Sequence, residues 1–312
     1  MTPQISEQHT ASTWSVLYIV FGLLAFAIQD AIIKGLSQTH PVLQLLTIRS
    51  MVVMLLLLLL TLSIGGLSLF KTRRLPLLMS RGVFAFFAFT LYYLALSKIP
   101  FAEGAAVYMT APLFVTALSI PLLGENVGIH RVLAVLTGFI AALIMVNPGS
   151  AVFQIASVLP LISAMLYSFI PIMNRHIGRR EHPLTMAVYS MLSYLLLSLI
   201  ASLLVYVIRP EVNSQNIFAG LAEIWLPLSW WDLLSISCSG ALFVLGLLGL
   251  TQSYRLLPVS IVAPFEYSYL VWATAIGYVV FNEIPSLRTL IGGIAIVACG
   301  CYITYREKQQ SA

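Results

Sequence analysis

Charged residues are scarce in this sequence. Its 312 residues include 16 Lys and Arg and 11 Asp and Glu, so that 9% of the chain is charged, against about 25% in an ordinary soluble domain. A water-soluble globule needs a polar surface, and this composition therefore excludes a soluble enzyme. The apolar fraction of 60% and the mean hydropathy of +0.96 are typical of a multi-pass membrane protein.

The sequence also lacks the patterns of several functional classes. Its basic residues are scattered and form no stripe beside aromatic residues, which argues against a nucleic-acid partner. It contains no GxSxG, HExxH or nucleotide-binding motif, which argues against an enzyme and against direct use of ATP. Its three cysteines, Cys238, Cys299 and Cys301, lie in apolar stretches without metal-ligand spacing, so we expect no disulfide framework, metal site or cofactor.

Ten apolar segments are long enough to cross a bilayer as helices, since a transmembrane helix needs about 20 such residues. Unbroken runs such as MVVMLLLLLLTL exclude the alternation of a β-barrel. The predicted fold class is an all-α polytopic membrane protein, with polar tails at 1–13 and 305–312. The expected spans are 14–36, 42–64, 77–98, 101–123, 129–147, 151–174, 184–206, 233–254, 257–281 and 285–304.

The Lys and Arg residues indicate how these segments are oriented. With a cytoplasmic N-terminus, eleven of them fall on the cytoplasmic side and five, Lys34, Arg49, Lys98, Arg209 and Arg288, on the outer side. Cytoplasmic loops carry the excess of Lys and Arg. Both termini are therefore expected in the cytoplasm.

The chain divides into two halves of five segments, 14–148 and 151–304. Pro100 aligns with Pro258, and the alignment runs without a gap to Glu125 and Glu283, at a constant offset of 158 residues. Because five is an odd number, the two halves enter the membrane in opposite directions, as in transporters built from inverted repeats. Chance similarity between two apolar stretches is the alternative.

Several stretches together resemble the drug/metabolite transporter superfamily, and within it the EamA-type transporters. They are the opening FAIQDAIIKGLSQTHPVLQLLTIRS, GEN and NEI at the ends of the fourth and ninth segments, and the glycine-bearing LAVLTGFIAALIMVNPG and TLIGGIAIVACGCYI. The resemblance implies ten helices in two inverted five-helix repeats, with transport as the activity. Members move riboflavin, S-adenosylmethionine, amino acids or metal-chelating metabolites, and no motif here selects among them.

Ionisable residues inside apolar segments are site candidates, because a charge at mid-membrane costs about 2.5–3.5 kcal/mol on insertion scales. Asp30 and Lys34 share a helix face and are expected to pair, as a substrate or gate contact or as a structural ion pair. Arg49 is expected to neutralise Asp30 or Glu103, in a structural or gating network or against substrate. Glu103 begins the fourth segment, where its carboxylate favours the helix N-terminus or binds substrate or a proton. Arg81 enters the third segment from the cytoplasmic side, to reach headgroups or to draw an anionic substrate inward.

Glu266 is the candidate nearest the midplane. It lies nine residues into the ninth segment, ~13 Å along a helix, where transporters built from repeats bind substrate. Pro264, two residues earlier, frees a carbonyl and can open the helix, and Pro112 holds a similar place in the fourth segment. A carboxyl held away from water suits proton coupling or a cationic partner. A structural hydrogen bond is the alternative.

Aromatic residues offer walls for flat or amphipathic solutes and organic cations, although each of them can equally serve packing. Tyr108 and Tyr267 rank higher because the repeat makes them near-equivalent, and Gln252 is a weaker polar candidate. The aromatic candidates are Tyr92, Tyr93, Tyr108, Tyr167, Tyr267, Tyr269 and Trp272.

The glutamates that end the fourth and ninth segments have a different expected role. Glu125 and Glu283 lie at membrane edges, and we expect each to cap a neighbouring helix or to pair with Arg131 or Arg288, outside the substrate site. Their role, like that of Pro112, is predicted to belong to the repeat.

The sequence thus predicts a secondary transporter of the cytoplasmic (inner) membrane that works by alternating access. Export of a small amphipathic or amino-acid-like metabolite is favoured, and uptake of a vitamin-like or nucleoside-like compound is the alternative. An integral membrane enzyme, a channel and a scaffold are the rival classes. The expected partners are the solute, membrane lipid and protons as the candidate coupling ion, and the expected assembly is a monomer or a homodimer.

Overall fold

The computed structural model of the chain describes residues 3–124, 129–146, 155–177, 181–208, 219–256, 262 and 265–311. Throughout these ranges the regular secondary structure is helical and no strand is present. Six helices are long and apolar enough to cross a membrane, and four shorter apolar helices accompany them. The composition therefore folds into an all-helical bundle of the kind expected of a multi-pass membrane protein.

The first half of the chain begins with a long helix that already starts inside the predicted N-terminal tail. The predicted fourth span is two helices, interrupted by a turn at Met109 and Thr110. A 3-10 helix, Gly66–Phe70, follows the second helix. The α-helices are α1 (Pro3–Leu36), α2 (Val42–Gly65), α3 (Leu75–Leu96), α4 (Phe101–Tyr108), α5 (Ala111–Leu123) and α6 (Ile129–Val146).

The second half has the same order of long helices, with one short helix inserted. A 3-10 turn, Ile155–Ser157, precedes its first α-helix. The last helix continues through most of the predicted C-terminal tail. The α-helices are α7 (Leu159–Ile177), α8 (Pro183–Ile208), α9 (Ala219–Ala222), α10 (Trp230–Leu256), α11 (Ser268–Phe281) and α12 (Leu287–Ser311).

Two helix ends use the left-handed backbone region. Gly124 terminates α5 with φ of 68°, and Asn282 terminates α11 with φ of 53°. Glycine adopts this conformation without a Cβ clash, and asparagine is among the few other residues that adopt it readily. The two caps lie 158 residues apart, which is the offset that aligns residues 100–125 with 258–283.

Glycines let several helix pairs approach backbone to backbone, as is common between membrane helices. A Cβ on Gly22 of α1 would lie 3.2 Å from the Gly246 carbonyl oxygen of α10. A Cβ on Gly82 of α3 would lie 2.0 Å from the Ser190 carbonyl oxygen of α8, and one on Gly240 of α10 would lie 2.9 Å from Val52 of α2. Gly82 and Gly240 are again 158 residues apart.

The helices pack in a small set of pairs. α1 lies along α10, and α3 lies along α7. α3 also contacts α8, and α10 contacts α2. α5 contacts α7, α11 contacts α1, and the pairs α2 with α8 and α6 with α12 complete the bundle.

A buried apolar cluster lies where α1, α3, α4 and α11 meet, and it includes Ala27, Leu94, Phe101 and Ala273. The outward-facing residues are also apolar: Leu203 is 61% exposed, Val279 74% and Ile294 70%. An apolar exterior around a bundle that contains buried polar residues is the arrangement that lipid requires.

Candidate functional site

Asp30 lies at the centre of a buried polar cluster between the two halves of the chain. Its Oδ1 accepts hydrogen bonds from the Tyr93 hydroxyl of α3 and from the amide of Gln29. Its Oδ2 accepts one from the Tyr269 hydroxyl of α11 at 2.5 Å. The Tyr92 and Tyr269 hydroxyls are 2.8 Å apart, so one carboxylate connects α1, α3 and α11.

Arg49 supplies the positive charge of this cluster. Its Nη1 donates to Gln29 Oε1 at 2.8 Å and to the Tyr93 hydroxyl at 2.6 Å. The guanidinium also lies over the rings of Tyr93 and Phe243, at 4.8 and 5.5 Å from their centroids. Asp30 and Arg49 are therefore joined through two shared partners, Gln29 and Tyr93, rather than by direct contact. The expectation that Arg49 lies near Asp30 holds in this bridged form.

Lys34 lies one turn further along α1 and has a different partner. Its Nζ is 3.0 Å from Glu283 Oε1, and it donates to the carbonyl oxygens of Leu96 and Ile99 at 2.8 and 2.6 Å. Glu283 Oε2 accepts the backbone N–H of Phe101 at 2.6 Å, at the start of α4. This link ties the Leu36 end of α1 to α4 and to the residues that follow α11.

One expected pairing is therefore wrong. Asp30 does not pair with Lys34, because its carboxylate is occupied by Gln29 and two tyrosines, while Lys34 is drawn to Glu283. Glu283 caps a neighbouring helix, as expected, but its cationic partner is Lys34 instead of Arg288.

An aromatic row continues from the Asp30 cluster into the bundle. The ring centroids of Tyr92 and Tyr93 are 5.5 Å apart, those of Tyr92 and Tyr108 are 4.8 Å apart, and those of Tyr108 and Tyr167 are 5.6 Å apart. Glu266 lies within electrostatic range of the Tyr167 hydroxyl. The row thus connects residues of both halves along the bundle interior.

The structure places the helix interruptions beside this row. The turn at Met109 and Thr110 follows Tyr108 directly, since Pro112 has no N–H to donate to the Tyr108 carbonyl. In the second half the interruption is at Tyr267, next to Glu266. Breaks within membrane helices are typical of substrate and ion sites in transporters.

The remaining candidates are more dispersed. Glu103 accepts a hydrogen bond from Ser157 Oγ at 2.9 Å, so it is not the partner of Arg49. Gln252 Oε1 is 3.5 Å from Arg255 at an exposed helix end, away from the cluster. The Tyr267 hydroxyl and Trp272 Nε1 are buried and have no hydrogen-bond partner among the described residues.

Glu125, Pro264 and Arg81 are the other residues that the sequence analysis singled out. Glu125 and Pro264 lie outside the described residues. Arg81 does not extend towards headgroups, because its Nη1 donates to Met186 and Ser190 of α8. Within the described part of the chain, no group of three or more His, Cys, Asp or Glu side chains is arranged to hold a metal ion.

Sequence reasoning missed Gln29, which bonds to Asp30, Arg49 and Tyr93 at once. The available signal was an amide next to an acid inside an otherwise apolar helix. The hydrogen-bonding role of Tyr92 and Tyr269 was also missed, since both were considered only as aromatic surface.

An apolar helical bundle with a buried charged cluster between its halves is typical of a membrane transporter. The EamA-like transporter family model matches residues 13–147 and 154–306, one match for each half of the chain. The chain belongs to the EamA-like transporter family, and its fold is that of a multi-pass membrane protein.

Curated relatives agree with this family. A riboflavin transporter of Vibrio cholerae is 29% identical over 68% of this chain and 65% of its own length. An S-adenosylmethionine uptake transporter of Rickettsia bellii is 25% identical over 78% and 77% of the two chains. A pseudopaline exporter of Pseudomonas aeruginosa is 28% identical over 94% and 96%. The family and these relatives are transporters, not enzymes.

A solved crystal structure shares the fold. It superimposes with a TM-score of 0.55 at 18% identity, covering 95% of this chain and 99% of its own.

Proposed function

We propose that the chain is a secondary transporter with ten membrane spans in two inverted five-helix repeats, 14–148 and 151–304. It moves a small organic solute across the cytoplasmic membrane by alternating access. α4 and α5 together form the fourth span, and α11 belongs to the ninth. No nucleotide-binding motif is present in the sequence, so the driving force is a solute or ion gradient, with protons as the candidate ion.

Equivalent local features support the repeat. Gly82 and Gly240 each admit a neighbouring helix at close range, and Gly124 and Asn282 each cap a helix in the left-handed region. The turn that begins at Met109 and the turn at Tyr267 interrupt the fourth and ninth spans. All three pairs are separated by 158 residues, and this shared offset favours a repeat over chance similarity of apolar stretches.

The helix contacts support a two-fold relation between the halves. Exchanging the halves converts the pair α1 and α10 into α7 and α3, which is also a contact. It likewise converts α2 and α10 into α8 and α3, and α1 and α11 into α7 and the α4–α5 span. The pairs α2 with α8 and α6 with α12 convert into themselves. Such a pattern is expected of two halves related by a two-fold axis.

The Asp30 cluster carries the proposal. It is a buried, charged and hydrogen-bonded centre built from the first half and from Tyr269 of the second half. Rocking of one repeat against the other must break or remake the bonds of Tyr269. A solute or ion that changes these bonds therefore changes which end of the bundle is open.

The Lys and Arg distribution supports two cytoplasmic termini, which would place Lys34 and Glu283 at the outer side. In this arrangement the Lys34–Glu283 link and the bonds of Tyr269 close the outer end. The state described by the structure would then be closed towards the outside.

We further propose that the solute is an amphipathic or amino-acid-like metabolite and that it is exported. The pseudopaline exporter, similar over 94% of this chain, favours export, and the aromatic row of Tyr92, Tyr108 and Tyr167 suits an amphipathic solute. Uptake of a vitamin-like or nucleoside-like compound is the second candidate. The riboflavin transporter and the S-adenosylmethionine uptake transporter favour it.

Purified protein in liposomes tests transport. We expect saturable counterflow of at least one compound from a panel of riboflavin, S-adenosylmethionine and L-phenylalanine, and loss of most of that flux in Asp30→Asn. Arg255→Gln, which changes a charge at an exposed helix end, is the matched control and should retain flux. Non-saturable flux of every compound would indicate a channel, and no flux would contradict the proposal.

An untargeted metabolite comparison tests direction. Cells that express the gene are compared with cells that lack it, in the cytoplasm and in the medium. Enrichment of a compound in the medium upon expression is expected for an exporter. Depletion of a compound from the medium would instead support the uptake alternative.

A further inference from the structure

Arg81 of α3 is a cation inside the bundle that has no acidic partner in the described part of the chain. Within 4.0 Å, the salt bridges among the described side chains are Lys34 with Glu283 and His40 with Asp232, and Arg81 takes part in neither. Its Nη1 donates to neutral acceptors, the Met186 carbonyl oxygen at 3.2 Å and Ser190 Oγ at 3.0 Å. Its Nε is buried and has no hydrogen-bond partner among the residues that the structure describes.

The other two bundle cations differ from Arg81 in this respect. Lys34 contacts Glu283 directly, and Arg49 is bridged to Asp30 through Gln29 and Tyr93. An arginine stays charged in proteins, and a charge removed from water is normally paired. Among the described residues, Arg81 therefore lacks the negative partner that Lys34 and Arg49 have.

The position of Arg81 is fixed by the crossing of α3 and α8. Gly82 lets α8 approach so closely that a Cβ there would lie 1.9 Å from Ser193 Oγ. Ser193 Oγ in turn donates to the Met79 carbonyl oxygen at 2.7 Å. Arg81 is six residues from the start of α3 at Leu75, ~9 Å along the helix. The close α3–α8 crossing thus determines where the guanidinium contacts α8.

One edge of the guanidinium makes no hydrogen bond to the described residues. Nη1 is used by α8, whereas Nε has no partner and Nη2 makes no contact with an acceptor of the described residues. The Nε and Nη2 hydrogens are parallel and match the two oxygens of a carboxylate. A carboxylate, with its two oxygens, therefore fits this edge better than a group with one acceptor atom does.

The surroundings of Arg81 suit the rest of such a molecule. The Tyr167 hydroxyl lies within electrostatic range of both Arg81 and the Glu266 carboxylate. The Tyr167 ring packs 5.6 Å from the Tyr108 ring, at the start of the aromatic row. Arg81 and Glu266, of opposite charge, thus both act on the Tyr167 hydroxyl at the end of the aromatic row.

We propose that Arg81 binds the carboxylate of the transported solute, and that this solute is an amino-acid-like zwitterion with an apolar part. The proposal rests on the proposed transport function and specifies its substrate class. The guanidinium holds the carboxylate, Glu266 faces the ammonium group, and Tyr108 and Tyr167 contact the apolar part.

Competition in proteoliposomes of phosphatidylcholine tests this role. The probes are two pairs that differ in the carboxylate, S-adenosylmethionine with its decarboxylated form and L-phenylalanine with L-phenylalaninamide. The wild-type chain should prefer the carboxylate member of a pair by about 10- to 100-fold, as for a hydrogen-bonded charged group. In Arg81→Gln the preference should fall to about threefold or less, and in Arg81→Lys it should be intermediate because Lys cannot bind bidentately.

The matched control is Arg255→Gln, which removes a positive charge at the same end of the bundle and should keep the wild-type preference. Because a purely structural role of Arg81 lowers flux of both members equally, an unchanged ratio in Arg81→Gln would overturn the proposal. The proposal would also be overturned if the wild type transported riboflavin but neither S-adenosylmethionine nor L-phenylalanine. Absence of wild-type flux for every probe would instead contradict the proposed function itself.

An anionic lipid headgroup offers the same chemistry as a carboxylate. Adding phosphatidylglycerol to the liposomes separates the two sources. If headgroups filled the site, flux of the wild type would fall with phosphatidylglycerol while Arg81→Gln would not respond, and this result would overturn a solute-binding role. Equal responses of the two proteins are expected.

Discussion

Lys34 and Glu283 form a salt bridge of 3.0 Å between the end of α1 and the residue that follows the cap of α11. The same glutamate accepts the N–H of Phe101. Three elements from the two proposed repeats therefore meet at one carboxylate, which is the geometry expected of a latch between alternating states.

Breaking this latch should favour the state that is open at the Lys34 end. In Glu283→Gln the Lys34 ammonium loses its counter-charge, and a tenfold shift in population requires only about 1.4 kcal/mol. The measurement is labelling of Ala102→Cys, a position that is 3% exposed, by a membrane-impermeant thiol reagent. The native cysteines are replaced first. We expect labelling to be about tenfold faster with Glu283→Gln.

Glu181→Gln is the matched control for the latch. Glu181 accepts a hydrogen bond from Thr72 at 2.8 Å, at the opposite end of the bundle. Its neutralisation should leave labelling of the cysteine at 102 unchanged. Equal labelling in Glu283→Gln and the wild type would mean that the salt bridge does not hold this end closed.

Asp30 and Arg49 should be coupled in stability although they do not touch. Removing one member of a buried charge pair leaves the other uncompensated, at a cost of about 3–5 kcal/mol. Asp30→Asn and Arg49→Gln should each destabilise the purified protein, and the double variant should lose clearly less than the sum. Thermal unfolding in detergent measures the cycle, and additive effects would show that Gln29 and Tyr93 transmit no coupling.

Adjacent tyrosines offer a sharp comparison. The Tyr269 hydroxyl bonds to Asp30 at 2.5 Å and lies 2.8 Å from Tyr92, whereas the Tyr267 hydroxyl has no hydrogen-bond partner among the described residues. Tyr269→Phe should cost about 1.5–3 kcal/mol, as for a bond to a charged group. Tyr267→Phe should change stability by at most about 0.5 kcal/mol. If Tyr267→Phe were the more destabilising of the two, the stabilising hydrogen bond would belong to Tyr267 instead of Tyr269.

Much of this architecture follows from composition. Because long apolar runs have few alternatives in lipid, the predicted segments agree with the helices to within a few residues at most ends. Asp30 and Arg49 also follow from the sequence, since a charged residue in an apolar helix needs a compensating partner, whereas Tyr93 was considered only as aromatic surface.

The identity of the compensating group was less predictable. Spacing along α1 suggested that Lys34 pairs with Asp30, but its partner Glu283 comes from the other half of the chain. Gln29 was not singled out because a single amide carries no charge pattern. Such choices depend on helix packing, which a local pattern does not contain.

The glycine contacts give a prediction about packing. A Cβ on Gly82 would lie 1.9 Å from Ser193 Oγ and 2.0 Å from the Ser190 carbonyl oxygen, whereas a Cβ on Gly35 would meet only Phe281, at 4.0 Å. Gly82→Ala should therefore destabilise the protein by about 1–3 kcal/mol or more. Gly35→Ala should leave stability unchanged or raise it by up to about 1 kcal/mol. Similar unfolding temperatures for both variants would contradict the close α3–α8 crossing.

Glu266 gives the prediction that bears on coupling. Glu266 adjoins the turn at Tyr267, which interrupts the ninth span. Its carboxylate acts electrostatically on Tyr167 of α7, so proton binding to Glu266 would alter an interaction between two spans. If Glu266 couples transport to protons, Glu266→Gln should lose the pH dependence of net flux while solute exchange persists, because exchange needs no net proton movement. Glu103→Gln, whose carboxylate bonds to Ser157 at 2.9 Å, should keep the wild-type pH profile. A pH profile that survives in Glu266→Gln but not in Glu103→Gln would assign the coupling carboxyl to Glu103.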